Sequence, residues 1–166
     1  MHDLCQRIFY FAYMDETRYE FIKRRLAPCG LHCGKCFAFT GGDICNYSTY
    51  LKDSLGNFEV YAERFVELLD EPVFLKYPDF KKFLSLLSSG NCNGCREEQC
   101  KLYKSCNVRA CSESMGVDFC FQCREFPCDN TDFDEHLYQR HVKINRQMEE
   151  VGIEKYYEEV KNLSRY

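Results

Sequence analysis

Thirteen of the 166 residues are cysteine, and eight of them fall between Cys92 and Cys128. The stretch CNGCREEQC, Cys92 to Cys100, returns as CFQCREFPC, Cys120 to Cys128, so that C-x-x-C-R-E-x-x-C occurs twice in register with Cys106 and Cys111 between the copies. A CxxC pair places two sulfurs on one tight loop, the bite that a tetrahedral metal requires. A further cluster, PCGLHCGKC at Pro28 to Cys36, has the spacing C-x3-C-x2-C, and Cys45 beyond the Gly41-Gly42 turn offers a fourth corner.

The segment around the repeat has little else to fold on. From Gly90 to Asn130 its only Leu, Ile, Val, Met or Phe residues are Leu102, Val108, Met115, Val117, Phe119, Phe121 and Phe126, seven of forty-one. That fraction is too low to order a segment by apolar burial alone. A structural zinc site supplies roughly 10 to 16 kcal/mol in small peptides, ample for such a loop. The cysteines are therefore read as ligands: Cys29, Cys33, Cys36, Cys92, Cys95, Cys100, Cys106, Cys111, Cys120, Cys123 and Cys128.

Eleven thiols do not divide into fours. Two or three zinc ions are expected, in at least two tetrahedral sites. One would centre on Cys92 and Cys95 with Cys106 or Cys111; the other would join Cys120, Cys123 and Cys128 to a thiol of the N-terminal cluster. Four thiolates suit iron-sulfur clusters equally. The spacing C-x2-C-x4-C, with proline before the last cysteine, departs from common iron-sulfur runs and favours zinc. An iron-sulfur redox protein using Cys29, Cys33 and Cys36 is the alternative. The same spacing occurs in radical enzymes, but no strand-helix alternation follows to build their barrel. A thioredoxin-type pair at Cys33 and Cys36 lacks its βαβ setting.

Composition narrows the setting. The net charge is −4 and no basic stripe accompanies the repeat, which speaks against nucleic acid as a partner. No signal peptide is evident at Ile8 to Met14, and no apolar run reaches the roughly 18 residues of a membrane span. A cytoplasmic location is expected, where thiols stay reduced and dense cysteines mean metal rather than a disulfide scaffold.

The elements that must carry these loops read as helices. Leu51, Leu55, Phe58, Ala62, Phe65 and Leu69 form one apolar stripe and predict a helix over Thr49 to Asp70, weakened but not broken by Gly56 and stopped by Pro72. A second helix is expected from Asp79 to Ser88, with Phe80, Phe83, Leu84 and Leu87 inward, and a short one from Tyr103 to Met115 ended by Gly116. On a regular helix Cys106 and Cys111 would face roughly 140° apart, so either they serve different sites or the helix is broken there. A longer helix follows Asp134, with His136 and His141 as solvated or partly buried residues, and Ile153 to Leu163 makes the last. The expectation is a mainly α fold with an irregular cysteine-rich, metal-bound region and little or no β-sheet. A leader over 1–26, helical or poorly ordered, would precede a single domain over 27–166.

At Pro28 to Cys36, Cys92-Asn-Gly-Cys95, Cys106-Asn-Val-Arg-Ala-Cys111 and Cys120 to Cys128, the chain resembles a prokaryotic family catalogued as domain of unknown function 3795. The family pattern is CGLxCxxC, then CxGC, CxIRxC and CxxCxxxPC followed by a helix. The likeness runs from Ala27 to the C-terminus; Cys5 and Cys45 depart from it. It implies a small, cysteine-rich, zinc-binding cytosolic protein and supplies no reaction.

No nucleophile-base pair, phosphate loop or carboxylate pair stands out, and closed four-thiolate sites do no chemistry. A binding or scaffold module that meets a protein or small-molecule partner is expected rather than an enzyme. A three-cysteine zinc enzyme would have only Asp43 and Glu125 as nearby carboxylates. Arg109, between two expected ligands, is placed either to hydrogen-bond thiolate sulfur or as an exposed helix residue.

Overall fold

The structure, a computed structural model, describes residues 18–166. Cys5, the patch Ile8 to Tyr13 and most of the expected leader lie outside the described residues. Among those described there are seven α-helices and no strand; isolated bridges join Leu26 to His32 and Phe39 to Cys92. The helices are α1 (18–25), α2 (Asp43–Leu55), α3 (Phe58–Leu68), α4 (Tyr77–Ser88), α5 (Val108–Met115), α6 (Glu135–Val151) and α7 (Ile153–Val160). The mainly helical class is as expected. The chain forms two compact units, residues 34–93 and the segments on either side of them.

The outer unit, described over 18–33 and 94–166, holds the larger core. Ile22 of α1 and Leu26 just after it, Met148 of α6 and Tyr156 and Tyr157 of α7 close around Phe119 from between the cysteine loops. Each such side chain contributes about 1.5–3 kcal/mol by leaving water. The end of the expected leader is thus part of this core. Asp134 caps α6, its carboxylate accepting from the Leu137 N–H at 2.8 Å, and Gly152 separates α6 from α7. The last helix stops at Val160 instead of Leu163. Only Val108 to Met115 of the helix expected from Tyr103 is helical; Gly116 ends it in the left-handed conformation.

The inner unit is α2, α3, a 3-10 turn at Pro72–Lys76 and α4. The expected helix over Thr49 to Asp70 is two helices. It begins early, at Asp43 behind Gly42, and breaks at Gly56, whose φ of +47° and ψ of −117° no helix accommodates. The break lets α3 leave the line of α2, and Phe58 meets Phe74 and Tyr77 at ring-centroid distances of 6.3 and 5.1 Å, besides Phe65 two turns along its own helix at 5.9 Å. On α4 only Tyr77 and Leu84 are buried; Phe80 and Phe83, expected inward, are exposed.

Candidate metal centre

The first cysteine loop of the outer unit is tied by its own backbone. Gly30 N–H donates to Ala27 O at 2.8 Å and Ala27 N–H to Leu31 O at 2.9 Å. Gly30 has φ +84°, and a Cβ there would stand 2.3 Å from Ile144 Cγ2 and 2.7 Å from Met148 Cε. Both the dihedral and the approach of α6 require glycine. Helix α6 then grips the loop through polar atoms: Asn145 Nδ2 donates to Cys29 O at 3.0 Å, while Phe121 N–H donates to Asn145 Oδ1 at 3.0 Å. His141, expected solvated or partly buried, is wholly buried beside Asn145, between the rings of Phe126 and Phe133, and also bonds the Cys29 backbone. One turn of helix, i to i+4, stacks the two polar side chains into a single bracket for Cys29.

Around this loop lie five sulfurs. Cys29, Cys95, Cys100 and Cys106 line a narrow cavity with about 30 Å³ of interior room, and Cys33 adjoins it through a hydrogen bond to Cys95. Cys95 bonds Cys100 as well. Four of these sulfurs also accept backbone amides: Cys29 from Leu31, Cys33 from Cys95, Cys106 from Val108, and Cys100 from Leu102 and Tyr103, the last at 3.4 Å. A neutral thiol is a weak acceptor, so converging N–H groups favour thiolates.

Two arginines border the group. Arg165 lines the cavity, donates to His32 O at 2.7 Å, and its charge adds to the lowering of Cys33 and Cys100 and slightly opposes the raising of Cys29 by burial. Arg96, next to Cys95, donates to Lys23 O, Leu26 O and Asp118 O at 2.7, 3.0 and 2.7 Å and lies over the Phe119 ring. It fastens the first copy of the repeat to the end of α1. Its counterpart Arg124 is exposed, so the two copies are alike in sequence and unlike in surroundings. Arg109 also lines the cavity, but its Nε donates to Glu113 at 2.8 Å rather than to sulfur.

A second group sits in the other copy. Cys111 lies near Cys123 and Cys128 and 4.0 Å from Asn130 Nδ2. Cys120 lies within electrostatic reach of Cys111 and Cys128 and equally of Cys29 and Cys106, and its N–H donates to Pro28 O at 3.0 Å. Cys106 and Cys111 thus belong to different groups, because Cys106 precedes α5 and Cys111 is on it. Cys36, Cys45 and Cys92 are buried in the inner unit; Cys45 donates to Ser88 O at 3.4 Å, joining α2 to the end of α4.

Burial is the main influence on four of these thiols. It pushes Cys29 up to about 12 against the Leu31 amide, and raises Cys106, Cys111 and Cys120, where neighbouring cysteines add to it. Cys33 and Cys100 are instead lowered, first by the Cys95 thiol, which is itself raised. None of the twelve described cysteines is in a disulfide. Among the described residues no three Cys, His, Asp or Glu side chains stand in an arrangement that would hold an ion. The sulfurs are gathered and hydrogen-bonded, not set about a common point.

The sequence pattern singled out the cysteines and missed Asn145, Arg96 and Arg165. Arg96 had a signal in the repeated C-R-E; the other two are defined by contacts more than a hundred residues away.

No curated protein and no solved structure matches the chain. Residues 25–133, about two thirds of it, match the family described as protein of unknown function DUF3795, and they span all eleven motif cysteines. The chain belongs to that family.

Proposed function

We propose that the chain is a zinc protein in which the metal is structural, and that it acts as a binding or scaffold module. The observation that carries this reading is the set of backbone amides directed at Cys29, Cys33, Cys100 and Cys106 around one small cavity. The donors fit the group in kind: they are all sulfur, which soft or borderline metals select. They fit in energy too, because closely buried thiolates repel one another and a divalent cation offsets that repulsion. A bound zinc would supply cross-linking between loops and no chemistry of its own. Cys29, Cys95, Cys100 and Cys106, with Cys33 beside them, would hold one ion, and Cys111, Cys123 and Cys128 with Cys120 a second. Arg165 and Arg96 would offset the excess thiolate charge.

The test is purification without oxygen, followed by elemental analysis for zinc and iron and a visible spectrum. Two or three zinc per chain without colour is the expected result. A brown protein with stoichiometric iron would replace this reading with the redox one, and a metal-free folded protein would end both.

A further inference from the structure

We propose that the α3–α4 face of the inner unit is an interface with a second copy of this chain. Of the sixteen exposed large apolar side chains among the described residues, twelve lie in residues 34–93, whose only buried large ones are Tyr77 and Leu84. Six stand out on α3 and α4, which meet at their first turns through Phe58–Tyr77 and Glu59–Lys81: Val60, Tyr61 and Leu68 on α3, and Phe80, Phe83 and Leu86 on α4. Val60, Leu68 and Phe83 are 63%, 66% and 59% exposed, values normal for lysine and rare for clustered apolar residues. With their neighbours in the intervening turn these side chains present on the order of 1,000 Å² of apolar surface, against about 800 Å² per partner in a stable interface.

Charge selects the occupant. Residues 59–71 carry Glu59, Glu63, Glu67, Asp70 and Glu71 against Arg64, while 76–82 carry Lys76, Lys81 and Lys82 against Asp79. The α3 segment is net acidic and the α4 segment net basic. Within a single copy Lys81 pairs with Glu59 and Lys82 with Asp79, and among the described residues Glu63, Glu67, Asp70, Glu71 and Lys76 are left over. A two-fold axis places α3 of each copy on α4 of its partner, so apolar stripes and opposite charges meet twice. A partner bearing one sign of charge would match only half the face.

Sedimentation of the full chain in reducing buffer, across a wide concentration range, tests this. The expected mass is twice the 19.7 kDa of one chain. Tyr61→Glu with Phe83→Glu should give a monomer of unchanged helicity. Glu67→Lys should weaken dimerisation roughly tenfold, and Glu67→Lys with Lys82→Glu should recover most of the loss. If the double glutamate variant does not fold, amide exchange of the wild-type chain decides, since α3 and α4 should gain protection with concentration and α7 should not. A wild-type monomer at every concentration, or a dimer indifferent to these changes, would overturn the proposal. So would a monomer whose α3 and α4 become protected only on binding a different protein.

Discussion

Replacing Asn145 by leucine removes a buried amide while nearly preserving its volume. Asn145 is wholly buried, and its side chain serves Cys29 O at 3.0 Å, His141 O at 3.0 Å and the Phe121 amide at 3.0 Å. The variant leaves the Phe121 N–H without its acceptor, a loss of about 1–3 kcal/mol for a buried donor. The Cys29 carbonyl keeps its bond from His141, so its share is smaller. Leucine recovers part of the total through apolar burial, and the net expected loss is about 1–3 kcal/mol. That is a large fraction of a typical stability of about 5–15 kcal/mol. Urea unfolding of wild type and variant in reducing buffer, at matched metal content, measures it as a lower midpoint at unchanged slope. The same bracket holds the Cys29 loop, so the variant should also lose its metal at a lower chelator concentration. A stability change under about 0.5 kcal/mol, with unchanged chelator sensitivity, would refute the claim that α6 positions the first cysteine loop through this residue.

Gly30→Ala should cost about 3 kcal/mol or more by thermal unfolding, because a side chain at φ +84° would meet Ile144 and Met148 inside contact distance. Arg96→Lys keeps the charge but loses the fork that spans Lys23, Leu26 and Asp118, and should lower stability by about 1–3 kcal/mol in the same assay. Cys106→Ser should reduce bound metal by up to one ion per chain, whereas Cys45→Ser, on a thiol committed to Ser88 O, should leave metal content unchanged; elemental analysis separates them. Arg165→Gln should raise the concentration of free zinc needed for half-occupancy, and Arg165→Lys should restore much of the loss, as read by chelator competition.

Several features were legible because their causes are local. Apolar residues at steps of three and four marked the helices, Gly116 and the Asp134 cap marked two of their ends, and cysteine spacing marked every sulfur that the outer unit gathers. Gly56 was visible as a weak point, but not as a break. Its cost in a helix is about 1 kcal/mol, and what decided against continuity was the aromatic packing of Phe58 and Phe65 on Phe74 and Tyr77, contacts made with residues far along the chain from Gly56.

By itself, then, the sequence determined the helical class, the family and a spaced set of thiols, because periodicity and spacing act over a few residues. Only the tertiary structure decided which thiols keep company. Cys106 joins Cys29 and Cys100, while Cys111 turns to Cys123 and Cys128, because α5 begins between them. It also decided that Asn145, 116 residues from Cys29, is the bracket for the first loop and that Arg96, not Arg109, is the clamp of the repeat. Such pairings depend on which surfaces chain folding brings together, and a buried amide or guanidinium is placed by the unmet hydrogen bonds it satisfies there.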